Sequence, residues 1–133
     1  MRYEHNFYMT SDSFLDIEFL FVETSLNNWK GYILSEINYK QVSDTRSDSI
    51  VDIHRLSEKD EIIKRKIQGF IQNNQRPYNN STIYYICWSK PITSLEDMRA
   101  VARSWSEITS YYIQHGGSFQ NIQSELISQG VIN

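Results

Sequence analysis

The chain has 133 residues, 40% apolar and 14% aromatic, with thirteen Lys and Arg against sixteen Asp and Glu. That length fits a single globular domain (1–133), able to bury a core without disulfide or metal support. A formal charge of −3 excludes the concentrated basic face that non-specific nucleic-acid binding needs, and the lone cysteine, Cys87, excludes an internal disulfide.

The opening Met1-Arg2-Tyr3-Glu4-His5-Asn6 holds no apolar signal core. The longest apolar-rich run, 14–22, is interrupted by Asp16 and Glu18 and is too short to span a bilayer. The expectation is a soluble cytoplasmic protein.

From Leu15 the residues Leu15, Ile17, Phe19 and Phe21 alternate with Asp16, Glu18, Leu20 and Val22. This spacing predicts a strand that is half-polar at its start and apolar on both faces at its end. A helix capped at Ser13, with Asp16 three residues on, is the competing reading. Asn27-Asn28 supplies a turn into a second strand over 29–39, where Trp29, Ile33, Ile37 and Tyr39 share one face. The stretch 41–49, rich in Ser and Asp, reads as a loop before a short third strand, Ile50-Val51-Asp52-Ile53-His54.

Ser57 with Asp60 is a capping-box variant opening a helix. Its apolar stripe is Ile62, Ile63, Ile67, Phe70 and Ile71, and Glu58, Asp60 and Glu61 load its positive end with negative charge. The basic run Lys64-Arg65-Lys66 sits among those carboxylates and reads as a solvated helix face. A loop with Pro77 follows.

Thr82-Ile83-Tyr84-Tyr85-Ile86-Cys87-Trp88 is the strongest strand signal, ended by Pro91. Thr93 with Glu96 then opens a long helix through Leu95, Met98, Val101, Ala102, Trp105, Ile108 and Tyr112, which Gly116-Gly117 closes. A last helix starts at Ser118 and stops at Gly130. The order β-β-β-α-β-α-α predicts an α+β fold, a mostly antiparallel sheet with helices packed on one face. Ile63, Ile67, Phe70, Ile83, Tyr85, Cys87, Val101 and Trp105 form its expected core.

Chemistry is sparsely signalled. Asp52 and His54 project from one face of a strand, so the carboxylate can orient the imidazole. No further ligand at metal spacing completes them, and a structural ion pair is the favoured reading. Cys87 lies in an apolar run that offers a thiolate no cation, so packing is expected, with a dyad to His54 or His115 left open. His115 suits the negative end of the long helix. Gly116-Gly117-Ser118 lacks the Lys and preceding strand of a phosphate loop. Arg99 and Arg103, four apart beside Glu96 and Glu107, fit a solvated ion-pair ladder. If His54, Arg55, Arg99, Arg103 and His115 converged, they would form a ribonuclease-like or phosphate-handling cluster. No cofactor or metal is expected.

Three function classes follow. The first is a protein-binding inhibitor, an immunity protein that neutralises a bacterial toxin stoichiometrically. Its partner would be a protein, a basic toxin or nuclease domain, rather than a membrane or nucleic acid. Its expected contact edge is acidic and aromatic: Asp44 and Asp48 with exposed Tyr39 and Tyr78. The second is a small enzyme using His54 and a remote partner. The third is a regulatory or structural subunit.

Overall fold

Burial along one strand organises the whole structure. In this computed structural model, which describes residues 2–40, 42, 54–73 and 82–133, β2 (Asp16–Ser25) is buried from Ile17 to Val22. Ile17, Phe19 and Phe21 belong to one apolar cluster. Leu20 and Val22 belong to another. Successive strand side chains point to opposite faces, so the sheet is covered on both.

Five strands make the sheet, in the order β1-β2-β3-β5-β4 with every pairing antiparallel. They are β1 (Tyr3–Met9), β2, β3 (Asn28–Ile33), β4 (Arg55–Ser57) and β5 (Tyr84–Ile86). The helices are α1 (Glu61–Asn73), α2 (Leu95–His115) and α3 (Phe119–Ser128). The α+β class and the antiparallel sheet are as the sequence pattern requires. The helices, however, divide between the faces.

On the first face Met98, Ala102, Trp105, Ile108 and Tyr112 of α2, with Ile122 and Leu126 of α3, pack against Ile17, Phe19 and Phe21. On the second, Ile67 and Ile71 of α1 cover Leu20, Val22, Tyr32 and Ile83. The expected core set is therefore split. Trp105 and Val101 lie on the α2 side; Ile63, Ile67, Phe70, Ile83 and Tyr85 lie on the α1 side. Cys87 is only partly buried.

The path of α1 follows from its ends. Just before it, Glu58 is buried against β3, accepting from Tyr32 Oη and, at 3.0 Å, from Lys30 Nζ. Near its other end Phe70 lies edge-on to Tyr3 and His5 of β1. The helix thus crosses the strands instead of running along them.

The caps lie close to their predicted places. Asp60, rather than Ser57, accepts from the Ile62 and Ile63 amides at 2.9 and 3.2 Å, because Ser57 is drawn into β4. Ser94, one residue beyond Thr93, caps α2 through Asp97 N at 3.1 Å. Ser118 caps α3, and Gly116, at φ 75°, closes α2.

The elements differ from expectation in three places. β1 was not signalled by the opening residues. The strand from Trp29 ends at Ile33, although Ile37 and Tyr39 still pack on the same cluster as Trp29. The third strand was expected over 50–54; positions 50–53 lie outside the described residues, and β4 begins at Arg55. Ser13, the competing helix cap, instead sits in the β1–β2 turn at φ 61°.

A polar network ties that turn to α2. Glu107, buried, accepts from Tyr8 Oη at 2.8 Å, Ser11 N at 2.7 Å and Ser11 Oγ at 3.0 Å. Asp12 accepts from Thr10 Oγ1, the Phe14 amide, Ser110 Oγ and Gln114 Nε2. Burial opposes the Asp12 charge, but these hydrogen bonds together outweigh it and hold the carboxyl down at about 2.

Two outcomes check this account. Trp105 is fully buried, so Trp105→Ala should cost about 3–5 kcal/mol in denaturant unfolding. The Asp12 pKa is lowered by folding. Its contribution is therefore complete above the ordinary carboxylate range and lost as pH falls toward about 2. Asp12→Asn should flatten that acid limb in pH-dependent unfolding, and an unchanged limb in the variant would overturn this account.

Candidate partner-binding surface

The β4 edge of the sheet collects the side chains with the most recognition chemistry. His54 takes a left-handed backbone (φ 46°) immediately before β4, a conformation His enters more readily than bulkier residues. Its carbonyl accepts from Cys87 N at 2.7 Å. This geometry lays the imidazole flat on Phe119, with ring centres 3.9 Å apart and planes 22° off parallel. Trp88 meets the same Phe119 ring edge-on at 6.4 Å.

One residue on, Arg55 turns to the α2 face of the sheet, because it pairs with Ile86, whose side chain packs there. Its guanidinium lies 3.8 Å from the Tyr84 ring centre and 4.5 Å from that of Tyr39. Its Nε is buried with no hydrogen-bond partner among the described residues. A planar cation between two aromatic faces is restrained by them. Leu56, on the other face of the strand, remains 46% exposed.

A cleft of about 390 Å³ continues from Trp88 toward α2, lined by Tyr8, Trp88, Lys90, Ile92, Val101 and Arg103 among others. Lys90 and Arg103 put positive charge on its rim, and Asp97 adds a carboxylate. Tyr8 joins the cleft to the network behind it: burial, then its bond to Glu107, pushes the phenol up to about 12.

Of the contact residues expected from sequence, Asp44, Asp48 and Tyr78 lie outside the described residues. Tyr39, expected to be exposed, is buried beneath Arg55, and that burial raises its phenol to about 12 despite the nearby guanidinium. It supports the surface from below. The apolar residues on either side in its cluster, Ile37 and Trp29, explain why it turns inward.

The cationic cluster that convergence of His54, Arg55, Arg99, Arg103 and His115 would have formed does not assemble. Arg99 is held by Glu4 on β1, at one edge of the sheet, whereas His54 and Arg55 belong to the opposite edge. His115 lies against Tyr111. Arg103 lines the cleft, and Asp52, the expected partner of His54, lies outside the described residues. Among the described residues no group of three His, Cys, Asp or Glu side chains is placed to hold a metal ion. No helix of the described residues is long and apolar enough to cross a membrane.

Sequence reasoning singled out His54 through Asp52, which lies outside the described residues, and missed Phe119, Trp88, Tyr84 and the role of Arg55. Only their aromatic character was a signal. The meeting of β4, β5 and the start of α3 is a tertiary event. No protein family, characterised protein or solved structure matches the chain.

The stacking is directly observable. The His54 ring protons should be shifted upfield by the Phe119 ring current in the native protein. Phe119→Leu should return them toward random-coil positions in a histidine-selective NMR spectrum. Unmoved resonances would remove His54 from this surface.

Proposed function

We propose that the protein is a stoichiometric protein-binding inhibitor, an immunity protein that neutralises a cognate bacterial toxin in the cytoplasm. The observation that carries this reading is the restrained aromatic and guanidinium surface at the β4 edge: Trp88, His54 on Phe119, and Arg55 between Tyr39 and Tyr84. Trp, Tyr and Arg dominate the energetics of protein interfaces, because each buries much area or many donors for little lost rotamer freedom. Restraint before binding lowers the ordering cost further.

The net charge of −3 favours capture of a basic partner, such as a nuclease domain. Asp44, Asp48 and Tyr78 stay in the proposal as its charged and aromatic rim. Arg55 at the centre suits a carboxylate on that partner. The enzyme reading is the weaker one. The cations it needs are divided between opposite edges of the sheet, and Glu107 and Asp12 are engaged in holding α2 to the β1–β2 turn.

The test begins with affinity capture from the native cell and mass spectrometry, followed by titration of the captured partner's activity. Inhibition should be complete at an equimolar ratio. Arg55→Ala and Trp88→Ala should each weaken binding by about 2 kcal/mol, roughly thirtyfold. Charge reversal at Asp44 and Asp48 should chiefly slow association. Turnover by the isolated protein that vanishes in His54→Ala would overturn the proposal.

A further inference from the structure

The cleft beside Trp88 has walls that the fold holds in place. They come from the link between β5 and α2, from the middle of α2, and from the tail beyond α3. Trp29 N donates to Ile92 O at 2.9 Å, which anchors the link on β3, and the Trp88 ring stands edge-on to Phe119. The tail turns back at Gly130 (φ 75°), a conformation glycine enters freely. There Val131 N and Ile132 N donate to Leu126 O at 3.0 and 3.4 Å. Ile92 and Ile132 are buried members of the α2-side core, so the apolar lining is continuous with it.

The charges at the cleft are unevenly matched. Lys90 and Arg103 are exposed at it, and neither has an ion-pair partner among the described residues. One turn beyond Arg103, the Glu107 carboxylate is buried and already accepts from Tyr8 and Ser11. Burial and Glu107 raise the Tyr8 phenol, and the Arg103 charge opposes them, so the guanidinium lies toward the Tyr8 wall. Asp97 is the one carboxylate among the lining side chains. It sits in the first turn of α2, where the positive end of the helix offsets its charge. From Asp97 to Arg103 the helix rises roughly 9 Å, so the two do not neutralise one another.

We infer that this cleft binds a small aromatic anion, a planar ring bearing a carboxylate or phosphate group, with the ring against Trp88 and the charge toward Arg103 and Lys90. The volume suits such a ligand. At about 390 Å³ the cleft lies within the range of small-molecule sites, roughly 300–1,000 Å³. An apolar cavity of about 150 Å³ already admits benzene, so a ring and its charged substituent both fit. An indole offers a ring partner in stacked or edge-on geometry. A guanidinium offers a carboxylate or phosphate two parallel donors, and a lysine adds a charge on a flexible stem.

A neutral ring would leave the two cations unsatisfied, and a cationic one would be repelled by them. Walls fixed before binding lower the cost of ordering the site. The inference does not rest on the inhibitor reading, because the protein alone should bind such a ligand. Trp88 is the residue that the cleft shares with the β4 surface.

Titration of nitrogen-15-labelled protein with phenyl phosphate and with phenylacetate, each to millimolar concentration, tests it. The indole resonance of Trp88, assigned through Trp88→Phe, should move more than those of the buried Trp29 and Trp105. The anion that binds more tightly identifies the head group as phosphate or carboxylate. Benzylamine, a ring of the opposite charge, should leave Trp88 unmoved. Arg103→Gln should weaken anion binding about tenfold or more, since it removes a charged donor. Asp97→Asn should strengthen it, since it removes the one lining carboxylate. Circular dichroism confirms that each variant is folded. A Trp88 resonance unmoved by both anions overturns the inference. So does a response to benzylamine equal to that for the anions, or an affinity indifferent to Arg103→Gln.

Discussion

The need to cover β2 on both faces sets the rest of the architecture. A strand whose side chains from Ile17 to Val22 are all withdrawn from water cannot lie on a one-layer support. Two covers are required, and the chain supplies α2 with α3 on one side and α1 on the other. Two carboxylates buried in that core are satisfied locally. Glu18 is buried beneath His5, and Glu58 receives Tyr32 and Lys30. Hydrogen bonds from Tyr32 and Lys30 hold the Glu58 carboxyl below its usual range against the opposing effect of burial.

Covering the sheet in this way also makes its two edges unequal. α2 is bonded to the β1–β2 turn through Glu107, Ser110 and Gln114, which spends these polar groups on structure. The β4 side is short in strand and rich in rings. There α3 brings Phe119 under His54 and beside Trp88, and Arg55 is held between tyrosines. Carboxylates and hydroxyls dominate the contacts at the β1 side, and stacked rings those at the β4 side. That asymmetry underlies the proposal that a partner binds at β4.

Much of the fold was legible from pattern alone. The continuous apolar character of 19–22 and of 83–88 announced covered strands. The stripes through Ile63, Ile67 and Ile71, and through Met98, Trp105 and Tyr112, announced the helices, with caps misplaced by at most a few residues. β1 escaped notice because Glu4, His5 and Asn6 interrupt its aromatic strand formers Tyr3, Phe7 and Tyr8, and pairing with β2 is what completes the strand. The candidate site was scarcely legible. His54 was identified by its neighbour in sequence, and the ring that stacks on it, Phe119, is far along the chain.

The sequence by itself determined which segments are amphipathic and where helices begin and end, because side-chain period and capping are local properties that act within a few residues. It also determined that catalytic and metal motifs are sparse. Only the tertiary structure decided which face each helix covers, that Tyr39 is buried under Arg55, and that Arg99 is drawn to Glu4 and away from His54. Those outcomes depend on loop closure and on competition among distant apolar surfaces for the same two faces of one sheet. No local pattern records that competition, since each stripe is equally satisfied by either face until the other helices have taken their places.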